Sequence, residues 1–300
     1  MKTIIPDFYN RFECKASDCK HSCCKGWEID IDEDSYEYYQ SLDTEFGRKI
    51  LENTFVDKEG AHYRLDKDMR CPFLQKDGLC EMILTIGEES LCDICALHPR
   101  FYEDYTVDAQ HGNEVSFDAE LAGVGLSCEK VCELLWSTNK PLEFLLVDDS
   151  VNLKNACDFS FQEEKYAPRL ETEYVESLFK LFQKTEPIDE EWTAEMQDLI
   201  SHQDEVIKKA TAYASSFDEG RYTRLLHYIA FRQLESMGDS QILLNYATRC
   251  TDFVFLTDAY FFDTHKSEGM SRDAHTMECI RRFSEQIEYS TQNVNIIMEI

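Results

Sequence analysis

The chain has 300 residues, of which 43% are apolar and 12% aromatic, so it can bury one large core or two interlocked ones and is not expected to be disordered. Thirty basic residues stand against 59 acidic ones, a net charge of −29. That argues against binding a nucleic-acid backbone, where phosphate contacts need a positive surface, and favours a cationic partner.

At the start, Ile4 and Ile5 are stopped at once by Pro6 and Asp7, so no signal-peptide apolar region is read there. No later stretch reaches the ~18 to 20 apolar residues of a bilayer span. The expectation is a cytoplasmic protein without a membrane partner. In a reducing compartment its thirteen cysteines are expected as thiols or metal ligands, not as structural disulfides.

Residues 1 to 35 read as an irregular loop running into a short strand. Cys14-x4-Cys19-x3-Cys23-Cys24 places four thiols within eleven residues, and Arg11, Lys15, Lys20 and Lys25 beside them could offset thiolate charge. Trp27, Ile29 and Ile31 then alternate with Glu28, Asp30 and Asp32 at the period of a strand. The alternating acids lack the spacing and central glycine of a calcium loop and read as a solvated strand face. From Asp34 to about Phe55, Tyr36, Tyr39, Leu42, Phe46, Ile50 and Leu51 recur at helical spacing, and Asp57 to Gly60 ends that helix.

Next, Arg70-Cys71-Pro72-Phe73-Leu74 and Gly78-Leu79-Cys80 flank the turn Lys76 to Gly78, a knuckle able to present two sulfurs to one metal. A helix over Ile83 to Leu97 puts Cys92 and Cys95 on one face and stops at His98-Pro99-Arg100. The eight thiols Cys14, Cys19, Cys23, Cys24, Cys71, Cys80, Cys92 and Cys95 form a metal-centre pattern, because thiolates favour zinc or the iron of an iron–sulfur cluster. Eight thiols suit two four-thiolate centres or one centre with thiols to spare. With so many thiols available, His98 reads as structural or solvent-facing. Cys128 is left undecided, and Cys132, Cys157, Cys250 and Cys279 read as ordinary core thiols.

Tyr102 to Val107 and Glu114 to Phe117 read as a strand pair joined around His111-Gly112-Asn113. Gly123-Val124-Gly125 is a fragment of a nucleotide-binding glycine motif without its third glycine. A helix from Cys128 to Trp136 follows. Asn139-Lys140-Pro141 and the polar tract Asp148 to Pro168 mark a boundary, which divides the chain into residues 1–140, a cysteine-rich metal domain, and residues 141–300, a helical domain. Helices are expected over Glu171 to Gln183, Asp189 to Ala214, Glu219 to Met237, Gln241 to Phe262 and Ala274 to Ile300. The aromatic run Phe253, Phe255, Tyr260, Phe261 and Phe262 reads as core packing. The fold class is therefore mainly α: a cysteine-rich irregular N-terminal domain with short strands, packed on a C-terminal helical bundle.

These residues resemble the flagellin lysine-N-methylases, which share their cysteine pattern with a wider group of zinc- or iron-chelating proteins. The resemblance rests on Cys19-x3-Cys23-Cys24-x-Gly26-Trp27 with Ile29-x-Ile31-Asp32, on Cys71-Pro72-Phe73-Leu74 with Gly78-Leu79-Cys80, and on Leu91-Cys92-x2-Cys95-x2-His98-Pro99-Arg100. Gln286-Ile287-Glu288-Tyr289-Ser290 with Asn293 is similar to the family's C-terminal helix. The resemblance implies a [4Fe–4S] protein, with zinc as the alternative metal, that transfers methyl groups from S-adenosylmethionine to exposed lysines of a protein substrate, flagellin in the family.

The radical S-adenosylmethionine motif Cys-x3-Cys-x2-Cys is not met, because Cys24 directly follows Cys23. A polar transfer needs a neutral lysine amine, and Tyr102 and Tyr105 are candidates by position for holding it or taking its proton. The catalytic and cofactor-binding residues are otherwise not identified from sequence. The alternative is a non-enzymatic zinc- or iron-binding module that docks a cationic partner.

Overall fold

In a computed structural model, residues 2–107, 116–148, 151–156, 159–267 and 269–298 are described. The chain divides into two compact units, Glu13–Arg100 and Met1–Phe12 with Phe101–Ile300. The division therefore falls at Arg100, not at residue 140 as the composition suggested. Residues 101–140 join the larger unit because their strands and helix pack with the first strand and the later helices. Nor is the polar tract Asp148 to Pro168 a boundary: strand Phe144–Asp148 is sheet-paired, and Phe159, Phe161 and Tyr166 are buried in the larger core.

The smaller unit holds the strands Asp30–Ile31, Thr54–Val56 and Ala61–Tyr63, with Ala61–Tyr63 antiparallel to both others. The alternation around Trp27 shortens to a two-residue strand that buries Ile29 and Ile31. The helix expected from Asp34 to Phe55 forms as two, Glu33–Ser41 and Glu45–Glu52. Thr44 starts the second by accepting the Gly47 N–H at 2.9 Å. The turn is closed so tightly that a Cβ on Gly47 would lie 2.3 Å from the Leu42 carbonyl oxygen. The next expected helix, Ile83 to Leu97, also divides, into Glu81–Ile86, a 3-10 turn at Glu88–Ser90 and Asp93–Leu97. Gly87, at φ +93°, breaks it.

The larger unit contains a five-stranded sheet in the order Arg100–Val107, Phe117–Val124, Lys2–Pro6, Phe144–Asp148, Val151–Ala156. Its central strand is Lys2–Pro6, parallel to Phe117–Val124 and antiparallel to Phe144–Asp148. The strand read at Glu114 and its turn at His111 to Asn113 lie outside the described residues, as does Cys157.

Helices Glu129–Trp136, Thr172–Phe182, Glu190–Ser201, Gln203–Tyr213, Glu219–Arg232, Ser240–Ser267, Arg272–Ile287 and Thr291–Met298 complete this unit. Ser240–Ser267 runs unbroken for 28 residues, with no glycine or proline inside it. It is started by Asp239, whose carboxylate accepts the N–H groups of Gln241 (2.8 Å) and Ile242 (3.1 Å). Phe253, Phe255 and Tyr260 are buried along it, and Phe253 stacks on Phe182 with ring centroids 3.9 Å apart. Asp189–Ala214 divides at His202, and the last expected helix divides where Ser290 accepts the Asn293 N–H at 3.2 Å and opens a new one.

The sheet is tied to the helices by Arg224, whose side chain is fully buried. It donates to both carboxylate oxygens of Asp7, at 3.1 and 3.0 Å, and to the carbonyls of Leu135, Lys140 and Pro141. Among the described residues no helix is long and apolar enough to cross a membrane.

Candidate metal centre

Three separate segments of the smaller unit bring thiols together. Residues Lys25 and Arg70 form an isolated antiparallel bridge, and the Cys71 N–H donates to the Cys24 carbonyl at 2.9 Å, so Cys24 and Cys71 stand opposite each other beside that bridge. The Cys71–Cys80 segment folds into a tight hairpin. Leu74 bridges to Cys80, the Gln75 N–H donates to Leu79 O at 2.8 Å, and Gly78 turns the chain at φ +85°. Cys92 and Cys95 come from the third segment, where the Cys95 N–H donates to Cys92 O at 2.9 Å.

Cys71 and Cys92 are buried, and Cys24, Cys80 and Cys95 pack against the same apolar cluster with Tyr39, Tyr63 and Phe73. Cys23 sits beside Cys24 with its thiol in hydrogen-bond contact. Cys14 lies apart on the exposed loop, where its sulfur accepts the Ala16 N–H at 3.3 Å. Cys19 follows that loop's 3-10 turn and is half-buried. Among the described residues no disulfide joins any cysteines.

The thiols perturb one another. The contact with Cys23 draws the Cys24 thiol down to about 7 against the opposing effect of burial, and Ser22 and the Arg70 guanidinium assist. Arg70 is itself fixed by donating to Leu74 O at 2.9 Å and Gln75 O at 2.5 Å. Burial pushes Cys71 up to about 12 and also raises Cys80. Cys92 is lowered by its contact with Cys95, and Cys95 is raised by the same contact and by burial.

Several partly buried thiols acting on each other as like charges form a donor set that a thiophilic cation would neutralise. The donor chemistry fits a thiolate-bound metal, while among the described residues no three of these sulfurs stand within 4.8 Å of one another, so binding would draw them closer. The sequence did not single out Tyr39 and Tyr63, whose hydroxyls bond to each other at 3.2 Å beside Cys92. Tyr39 stood in the sequence only as one position of a helical apolar pattern, and Tyr63 carried no signal there. Asp32 links the elements of the site: one oxygen accepts the Ser35 N–H and caps Glu33–Ser41, and the other accepts the Asp93 N–H, both at 2.8 Å.

The remaining candidates belong elsewhere. The His98 ring packs beside Trp27, with centroids 5.7 Å apart. Tyr102 and Tyr105 are in the larger unit. The Tyr102 hydroxyl meets that of Tyr9 at 3.1 Å, and Tyr105 lines a cleft with Asp104, Thr106, Asp118, Ala119 and Glu235. Cys128 precedes helix Glu129–Trp136 in the larger unit, and Cys132 and Cys250 are buried in its core. Gly123 is a packing residue, since a Cβ there would lie 2.2 Å from the Phe101 ring.

A trio that sequence reasoning missed, Asp258, His275 and Cys279, has ligand atoms within 4.8 Å of one another. Its chemistry is that of a structural knot. Asp258 already accepts from His275 (2.7 Å), Tyr222 (2.8 Å), Thr276 (2.9 Å) and Arg272 (3.3 Å), and the adjacent guanidinium disfavours a second cation. The motif at the C-terminal end is also structural in part. Gln286 and Asn293 clamp residues 185–188 through Thr185 Oγ1, Glu186 N and O, and Ile188 N.

Comparison with known proteins finds matching relatives for about a third of the chain. It is 34% identical over 107 residues to a lysine-N-methylase of Salmonella typhimurium, a match covering 33% of this chain and 26% of that protein. It is 33% identical over 107 residues to a lysine-N-methylase of Salmonella choleraesuis, with the same coverage. It is 30% identical over 106 residues to the flagellar biosynthetic protein FliU of Salmonella muenchen, covering 33% of this chain and 63% of that one. The match thus spans about a quarter of the lysine-N-methylases' length. No family model and no solved structure matches. The similarities support a relationship to the flagellin lysine-N-methylase family.

Proposed function

We propose that this chain is a protein-lysine N-methylase whose smaller unit is organised around a thiolate-bound metal centre, with S-adenosylmethionine as methyl donor and exposed lysines of a flagellin-like protein as substrate. The observation that carries the metal is the convergence of Cys24, Cys71, Cys80, Cys92 and Cys95, with Cys23 alongside, from three segments far apart in sequence. The methylase reading rests on the named relatives, and the net charge of −29 suits a lysine-bearing substrate.

Four of those six thiols would hold the group, an iron–sulfur cluster by resemblance or zinc as the alternative, with Cys14 outside the inner set. The group's contribution when bound would be to neutralise the thiolates and hold the unit folded. Tyr39, Tyr63 and Asp32 would position the segments that carry its ligands.

The test has two arms. Iron, sulfide and zinc are quantified on anaerobically purified protein alongside its absorption spectrum, and methyl transfer from S-adenosylmethionine to flagellin lysines is followed by mass spectrometry. Metal at about one centre per chain together with lysine methylation supports the whole reading. Metal without donor binding or methylation leaves the non-enzymatic metal-binding module.

A further inference from the structure

Among the described residues, four buried side-chain polar atoms without a hydrogen-bond partner belong to one group of interacting charges in the larger unit: Arg232 Nε and Nη1, Glu288 Oε1 and Glu103 Oε2. Buried polar groups are satisfied in more than about 90% of cases by protein or water, so four orphans together mark a place where something polar belongs. The Arg232 side chain is 10% exposed and that of Glu288 is fully buried, yet Nε and Oε1 stand 3.7 Å apart, too far for a hydrogen bond. Glu288 spends its other oxygen on the Ser284 hydroxyl at 2.5 Å. Tyr246, fully buried, feels the charges of both Glu288 and Arg232 and has the Cys250 thiol as its hydrogen-bond partner.

Aromatic rings flank the guanidinium, with Phe101 at 4.5 Å and Tyr289 at 5.0 Å from its central carbon. They cover its faces and leave its N–H edge as the bonding surface. The Tyr289 ring is half-exposed, so the cluster lies under a side chain that borders solvent.

The orphan inventory specifies the ligand. Arg232 presents two donors that need an acceptor, and Glu288 and Glu103 present acceptors that need a donor. A single group that answers both carries a negative acceptor and a positive donor side by side, which is the carboxylate and ammonium of an α-amino acid. We propose that the Arg232–Glu288 cluster binds an α-amino-acid head group, with the carboxylate on Arg232 and the ammonium on Glu288 and Glu103. Resting on the methylase reading, this makes it the seat of the methionine end of S-adenosylmethionine. The site uses Glu288 and Tyr289 of the C-terminal motif, which the clamp made by Gln286 and Asn293 leaves unexplained.

Calorimetry on the full chain with S-adenosylmethionine, free L-methionine and adenosine separates the outcomes. The expectation is that S-adenosylmethionine and L-methionine bind, and that Arg232→Met and Glu288→Gln each weaken both by about tenfold or more while adenosine is unaffected. Circular dichroism checks the fold. If Arg232→Met does not fold, Glu103→Gln, which neutralises one orphan carboxylate, carries the test with a several-fold loss.

Equal S-adenosylmethionine binding by wild type and variants overturns this site while the methylase reading stands. Methionine binding that depends on Arg232, without any binding of S-adenosylmethionine, keeps the site and overturns that reading. No binding of either amino acid leaves ordered water as the occupant and overturns the proposal.

Discussion

Replacing Arg224 by methionine isolates the bond between the central strand's end and the helices. The guanidinium is fully buried and donates to both oxygens of Asp7, whose side chain is 23% exposed, and to three carbonyls. Methionine keeps most of the apolar stem and deletes the charge. Breaking a buried ion pair from one side costs ~3–5 kcal/mol, and the partial hydration still open to Asp7 places this case near the lower end, about 3 kcal/mol. A unit of about 210 residues unfolds with roughly 0.45 kcal/mol per degree, which converts the loss to a melting shift of about 7 °C. Differential scanning calorimetry of the purified variant reads that shift directly. A second variant, Asp7→Asn, should also lose stability, because it leaves the fully buried guanidinium without a counter-charge and sets an amide N–H against one of its donors. A shift under 2 °C for Arg224→Met would refute the claim that this residue fastens the sheet.

Cys71→Ser and Cys92→Ser should each lower bound metal and the melting temperature of the smaller unit, while Cys14→Ser and Cys250→Ala leave metal content unchanged; equal retention in all four would contradict the inner thiol set. His62 contacts Asp30 at 2.9 Å, Asp57 at 3.2 Å and Glu28 at 3.6 Å; burial alone would lower its pKa, but the carboxylates of Asp30 and Asp57 raise it. A raised folded pKa means that its stabilising charge is fully present below about pH 6.5 and is lost as pH rises through the folded value. Urea midpoints should therefore fall with rising pH in that window, and His62→Gln should flatten the profile. Gly123→Ala should destabilise by about 1–3 kcal/mol, because the added methyl meets the Phe101 ring at 2.2 Å; an unchanged melting temperature would show that the ring moves aside freely.

The thiols and the helical bulk were written in the sequence itself. Cysteine spacing and the turn residues Pro72 and Gly78 are local signals, and the 28-residue helix Ser240–Ser267 lacks any breaker, so its pattern could be read without knowing its neighbours. The five-residue strand Lys2–Pro6 is too short to show a period, and its role as the sheet's centre depends on partners more than 100 residues away. Its position moves residues 101–140 out of the cysteine-rich unit. Helix breaks at Leu42 and Gly87 came from one turn's close packing and one positive φ, which periodicity does not register. Which thiols share one apolar cluster was likewise decided by the bridge between Lys25 and Arg70, and the Arg232 site by charges contributed from three distant segments. Local patterns record the spacing of ligands along a chain, but the desolvation and pairing that give a buried charge its chemistry exist only once distant segments have packed together.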